Sequence, residues 1–233
     1  VIEIKALASG SAGNCYHITD GETSLLLEAG IRYKDIQKAL DFKTSDIAAC
    51  LISHEHKDHS KAIKEVTAAG IDCYMSAGTA EAIGHDHHRI HRVSTQERIK
   101  IGTWDIIPFD VQHDVSEPYG FLLLNKSGAK VLFATDTYYI RYRFTGLTHI
   151  MVEANYSMDI LNENIVSGRV HRAMKRRLMQ SHFSLENVKE FLKANDLSKV
   201  EQIWLLHLSD TNSDEELFKR EIQGLTGKMV IVP

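Results

Sequence analysis

An apolar run, IAACLI (47–52), passes without a turn residue into HEHKDH (54–59), which packs three histidines, an aspartate and a glutamate into six positions. The run has strand length and no polar face, the pattern of a strand buried on both sides. The segment that follows, KAIKEVTAAG (61–70), carries apolar residues at helical spacing and ends on a glycine suited to a helix C-terminus. Residues 54–59 therefore sit between a buried strand and a helix, where layered α/β folds carry their active-site groups.

The remaining sequence reads the same way. VIEIKAL, CYHIT and SLLLEAG are expected strands, with ASGSAGN (8–14) as a turn between the first two, and RYKDIQKAL as a helix. ERIKIG, WDIIPFDV, GFLLLN, AKVLFAT and HIMVEAN are further strands, with a polar stretch after the last. SLENVKEFLKAND is a helix capped by Ser184 and SDEELFKREIQGL a helix capped by Ser213; EQIWLLHLS and KMVIVP are the closing strands. Neither an internal repeat nor a low-complexity linker interrupts the chain, so residues 1–233 are expected to form one domain. Strands and helices mixed with few strict βαβ alternations suit two sheets packed together with helices outside.

Composition narrows the setting. With 233 residues, 43% of them hydrophobic, the chain can bury a core without disulfide staples. Cys15, Cys50 and Cys73 are odd in number and unpaired in spacing, which suits a reducing compartment. No uncharged apolar run reaches spanning length and the N-terminus lacks a secretory pattern, so a soluble, cytoplasmic protein without a membrane partner is expected. The start at Val1 is read as the loss of an initiator methionine or a short leader. The net charge of −4 argues against a long grip on a phosphate backbone, although RVHRAMKRR (169–177) is locally basic.

His54, His56, Asp58 and His59 form H-x-H-x-D-H. Alternate histidines at a strand end can point the same way, so His54 and His56 are expected to grip one ion, with Asp58 and His59 facing a second. Imidazole nitrogen and carboxylate oxygen are zinc-type ligands, and a set without cysteine leaves room for a reactive water. The competing reading is a polar loop with no ion. Three distal residues take up positions of the same kind: His113 after a strand in FDVQHDV, Asp136 at the end of VLFATD, and His207 at the end of IWLLH. HDHHRIH (85–91) reads as a solvated turn, with a substrate or dimer contact as the other reading. ASGSAGN is either a phosphate cradle or a tight turn beside the metals.

This order, H-x-H-x-D-H and then His, Asp and His, resembles the metallo-β-lactamase-fold hydrolases over nearly the whole chain. LASGSAGNCY, LISHEHKDHS, FATDT, SHFSLENV and LLHLS look like its YycJ/WalJ-type branch, related to tRNase Z and to the phage anti-Pycsar phosphodiesterases. Two departures stand out: Glu28 where aspartate is more usual, and SHFS where GHLS is more usual. The resemblance implies an αββα four-layer sandwich with two mixed β-sheets flanked by helices. It also implies two divalent metal ions, zinc with manganese as an alternative. His54, His56 and His113 would hold the first, Asp58, His59 and His207 the second, and Asp136 would bridge them. Asp58 would count among the catalytic residues as well as the ligands. His182 in QSHFSLE would be a proton donor to the leaving oxygen, oriented by a carboxylate, with Glu186 one turn on as the candidate; the other reading of His182 is a capping or surface residue.

The resemblance also implies phosphodiester hydrolysis, since an aspartate bridge with a complete second site is the arrangement of the family's phosphodiesterase branches. The acidic charge and the lack of room for an extra clamp domain direct the primary expectation to cyclic mononucleotides such as cyclic CMP and cyclic UMP. The chain would then be an anti-Pycsar protein erasing defence signals in the host cytoplasm. The alternative is a YycJ/WalJ-like metal-dependent exonuclease acting on DNA or RNA. A non-catalytic metal-binding module is the third reading. The family's small phosphodiesterases also imply a C₂ homodimer.

Overall fold

The computed structural model describes residues 1–233. Thirteen strands form two mixed sheets, one of six strands and one of seven, each in chain order, and helices flank them. By internal contacts the chain divides into two compact units, residues 1–110 with 115–129, and residues 111–114 with 130–233. No helix is long and apolar enough to cross a membrane.

The first unit holds β1 (Glu3–Ala8), β2 (Cys15–Thr19), β3 (Ser24–Leu27), α1 (Tyr33–Ala39) and β4 (Ile47–Leu51). They are followed by α2 (Lys57–Ser60), α3 (Ile63–Ala68), β5 (Asp72–Met75), α4 (Ala77–Ile83) and β6 (Ile90–Arg92). β1, β2 and β3 pair antiparallel, and β3 to β6 run parallel. Ile36 of α1, Ile63 and Val66 of α3 and Ala80 of α4 join Leu26, Cys50 and Met75 in one buried cluster. Each large aliphatic side chain buried there contributes about 1.5–3 kcal/mol before chain entropy is counted. β7 (Ile99–Ile101), β8 (Trp104–Asp110) and β9 (Tyr119–Asn125) complete the unit as an antiparallel meander. Its β8–β9 pair needs Gly120 opposite Phe109, because a Cβ at Gly120 would lie 2.4 Å from the Phe109 ring.

The second unit is built on four parallel strands, β10 (Lys130–Ala134), β11 (His149–Glu153), β12 (Gln202–Leu206) and β13 (Met229–Ile231). β11 is buried at every position and β10 and β12 at all but their first, as expected for strands covered on both faces. Its helices are α5 (Met158–Val166), α6 (Ala173–Ser181), α7 (Leu185–Lys193) and α8 (Glu215–Thr226). α7 buries Leu185, Val188, Phe191 and Leu192, the i, i+3, i+6, i+7 stripe of an amphipathic helix. Ser184 caps it as expected, accepting from the Asn187 N–H.

Three expectations change. α8 is capped by Asp214, not Ser213, because the Asp214 carboxylate accepts from the Leu217 N–H while the Ser213 hydroxyl donates back to the Ser209 carbonyl. The polar stretch after β11 contains α5 and α6, which bury so little that their apolar periodicity is weak; α6 buries only Ser181. Residues 71–93 fold as β5, α4 and β6, and the expected turn over 85–91 is confined to the positions before β6, where His91 lies. His85 there meets the Thr67 hydroxyl at 3.1 Å and His87 stacks on His88. The three cysteines are free and buried.

Candidate metal centre

In the first unit, the donor segment begins at the carboxyl end of β4 and ends in α2, a helix of four residues. His56 is the N-cap residue of α2, and its carbonyl accepts from the N–H groups of His59 and Ser60. This single turn brings the rings together: His54 lies 4.8 Å from His56 and 4.2 Å from His59, centroid to centroid. His59 Nε2 is 3.3 Å from Asp58 Oδ2. His54 and His59 are fully buried.

Backbone contacts from distant sequence fix this turn. The Asn14 N–H donates to the Asp58 carbonyl at 2.7 Å, and the Ala29 N–H to the His59 carbonyl at 2.8 Å. Gly30 lies so close that a Cβ there would fall 1.6 Å from the Asp58 carbonyl oxygen. The Asn14 side-chain amide also reaches His59 Nε2, at 3.2 Å. The turn ASGSAGN thus places Asn14 against the donor loop. Glu28, at the end of β3, accepts from the Ser53 N–H and lies 3.7 Å from His59 Nδ1. Burial pushes its carboxyl pKa upward, against the contacts from His59 and Ser53 that pull it down. Ser53 Oγ in turn sits 2.8 Å from His54 Nδ1.

In the second unit, the donors stand at the carboxyl ends of three neighbouring parallel strands, the usual location of ligand sites in such sheets. Asp136 follows β10, Glu153 closes β11 and His207 follows β12. His207 Nδ1 donates to Asp136 Oδ1 at 2.5 Å, and Thr135 Oγ1 donates to the same oxygen at 2.9 Å. His113 Nδ1 donates to the Ser181 carbonyl at 2.8 Å, and its Nε2 lies 3.8 Å from Asp136 Oδ2. Burial lowers the His113 pKa against the pull of Asp136 and Glu153, a shift in the direction of the neutral imidazole that ligates a metal.

Glu153 was not foreseen from the sequence, and it is the hub of this unit. Its Oε2 accepts from the N–H groups of Thr137 and Phe183, both at 3.0 Å. Its Oε1 accepts from His182 Nδ1 at 2.5 Å and lies 3.5 Å from His207 Nδ1. Asp136, Glu153, His182 and His207 each offer a donor atom within 4.8 Å of the others. Burial works against a charge on His182, but Glu153 first and Asp136 and Asp114 after it outweigh burial and raise its pKa to about 9. The carboxylate that orients His182 is therefore Glu153. Glu186 is turned elsewhere, accepting from the Met158 N–H and the Ser157 hydroxyl, because its place in the first turn of α7 faces the start of α5. The signal for Glu153 was an acid directly after the apolar residues Ile150, Met151 and Val152.

Glu28, Asp136 and His207 share a further feature: each has positive φ, at 67°, 45° and 52°. Non-glycine residues held there cost about 1–3 kcal/mol each and cluster at functional sites. All three stand just past the end of a strand, where the turn aims the side chain. The donor chemistry suits a divalent transition ion: imidazole and carboxylate, no thiolate. The remaining nitrogens of His54 and His113 are engaged by Ser53 and the Ser181 carbonyl, the outer support expected around ligating histidines.

Comparison with known proteins agrees with this chemistry. The model of the β-lactamase superfamily domain matches residues 26–208. The exodeoxyribonuclease WalJ of Streptococcus pneumoniae is 30% identical over 91% of this chain and 83% of its own length. The exodeoxyribonuclease YycJ of Bacillus anthracis is 26% identical over 95% of this chain and 88% of its own. Among solved structures, the metallo-β-lactamase fold protein YhfI of Bacillus subtilis superposes with a TM-score of 0.75 at 14% identity, covering 100% of this chain and 95% of that one. The matched span contains every candidate donor from His54 to His207, so the chain belongs to the β-lactamase superfamily, as a metal-dependent hydrolase homologous to WalJ and YycJ.

Proposed function

We propose that this protein is a metal-dependent exonuclease that hydrolyses phosphodiester bonds at DNA ends. The observation that carries this reading is the 30% identity to an exodeoxyribonuclease across 91% of the chain. It favours the alternative over the primary expectation of a cyclic mononucleotide substrate, which rested on a net charge of −4 and small size. Net charge is a weak guide here, because the local field governs how a phosphate approaches. Arg172, Arg176 and Arg177 are exposed on and beside α6, which ends at Ser181, one residue before His182.

The ligand assignment follows the family order: His54, His56 and His113 for one ion, Asp58, His59 and His207 for the other, and Asp136 shared. Two divalent cations, zinc or manganese, would supply a water of lowered pKa and neutralise charge on the phosphate. The chain's own residues do the rest. Asp58 serves as ligand and takes part in the chemistry. Glu153 holds the proton of His182 on Nδ1, which fixes the ring so that Nε2 is the atom left to serve the leaving oxygen. Residues 1–233 act as one functional domain, since one family match runs through both units, and we expect a C₂ homodimer, checked by light scattering.

The test is incubation of the pure protein with Mn²⁺ or Zn²⁺ and end-labelled DNA, cyclic UMP or cyclic AMP. Stepwise release of nucleotides from DNA ends, abolished by a chelator, is the expected result. Opening of cyclic UMP with intact DNA would return the substrate to the cyclic mononucleotides.

A further inference from the structure

Directly after Asp136 the chain runs TYYIRYRFTG (137–146), aromatic and cationic residues interleaved, without helix or strand. Irregular structure does not leave this loop loose. Thr137 Oγ1 donates to the Tyr139 carbonyl at 2.9 Å, the Phe144 N–H donates to Asn195 Oδ1 at 2.7 Å, and Lys130 Nζ donates to the Thr145 carbonyl at 2.9 Å. Between the loop and α7, wholly within the second unit, lies a cleft of about 350 Å³. Phe183 and Phe191 line it from the α7 side, and Tyr139, Arg141, Tyr142 and Arg143 from the loop.

Three features of this cleft point to a ligand. Tyr139 is 56% exposed at a position whose neighbour Ile140 is buried, so a large aromatic ring stands in solvent beside a cavity. Arg143 is exposed as well, and Arg141 lies over the Tyr142 ring at 5.2 Å. The lining holds one carboxylate, Glu190, which is bonded to Lys193 at 2.8 Å. Aromatic faces with adjacent cations are what proteins use to hold unpaired bases and their phosphates. The volume falls in the range of small-ligand sites, enough for one base with its sugar. The cleft is also tied by sequence to the candidate chemistry at two points, since Tyr139 is three residues from Asp136 and Phe183 follows His182.

We propose that this cleft receives an unpaired terminal base of the polynucleotide substrate, stacked on Tyr139, with Arg143 beside the adjoining phosphate. The proposal rests on the exonuclease reading above and specifies how that substrate is held.

The experiment compares kcat/KM for single-stranded oligonucleotides of one sequence with an intact or an abasic terminal nucleotide, the lesion placed at either end in separate substrates. Wild-type enzyme, Tyr139→Ala and Tyr139→Trp are measured with the activating metal. Removing the base from the end that enters the cleft should slow the wild type roughly 5- to 100-fold, the range for losing one base–aromatic stack. Tyr139→Ala should lose a similar factor on the intact oligonucleotide and little more on the abasic one, and Tyr139→Trp should restore the preference for the base. Equal losses for Tyr139→Ala on intact and abasic substrates would overturn the proposal while leaving a nuclease. A wild-type enzyme that cuts neither oligonucleotide would overturn the exonuclease reading and the base subsite with it.

Discussion

In the first unit the four candidate donors lie within six residues, His54 to His59, at the head of a four-residue helix. In the second, His113, Asp136 and His207 are separated by more than twenty residues at each step and stand at or beyond strand ends. The supports differ as much as the donors. The first unit clamps its loop chiefly by backbone, with Asn14, Ala29 and Gly30 pressed against the carbonyls of Asp58 and His59, and adds the buried Glu28 beside the His59 ring. The second relies on one buried carboxylate, Glu153, which binds two backbone N–H groups and the His182 ring. A contiguous cluster needs its main chain held in shape, since its side chains already share a turn. A dispersed set has its main chain fixed by the sheet register, so the side chains need orienting.

The largest expected effect tests the dispersed half at its centre. Asp136→Ala should take metal content from about two transition ions per chain to below one and activity down by at least ~10³, because residues acting as a unit lose function together. Full metal content with full activity would remove Asp136 from the ligand set. His182→Ala should leave both metals bound and lower DNA hydrolysis by roughly 10²–10⁴, the range for a positioned acid. Turnover of bis(p-nitrophenyl) phosphate, whose leaving group needs little protonation, should fall much less. Equal losses on the two substrates would make His182 a substrate-positioning residue.

A matched pair then compares the two kinds of support. Gly30→Ala must displace the Asp58 backbone, so metal affinity should fall about 10- to 100-fold, the cost of losing outer support for ligands. Glu153→Gln should instead keep its metals and lower kcat by a similar factor, through a misplaced His182. If Gly30→Ala binds metal normally, the backbone clamp is not what shapes the first unit's donors. The smallest effect belongs to Glu186→Gln. It should change activity less than about threefold and cost stability on the order of 0.5–2 kcal/mol at the start of α5. A loss of activity as large as that of Glu153→Gln would reinstate Glu186 as the orienting carboxylate.

The contiguous candidate donors were legible in the sequence because their chemistry is local: H-x-H-x-D-H after an apolar run marks both a strand end and a candidate ligand set. The strands were legible for the same reason, since burial on both faces leaves a run such as VLFA or IWLL with no polar residue to confuse its reading. α5 and α6 were not, because helices that bury one or two residues leave little periodicity in their sequence.

Residue types and their order were enough to identify the family and to nominate the metal-binding chemistry and the candidate ligands. Partnership between side chains was decided only by the tertiary structure. Sequence distance favoured Glu186 as the companion of His182, four residues away, yet Glu153 meets it from 29 residues back. The Phe183 N–H donates to Glu153 and the Asn155 N–H to the Phe183 carbonyl, which lays this segment across the end of β11. Asn14 meets Asp58 across 44 residues by the same logic. A hydrogen bond depends on where the chain returns in space, and that return is set by sheet pairing and core packing rather than by spacing along the chain.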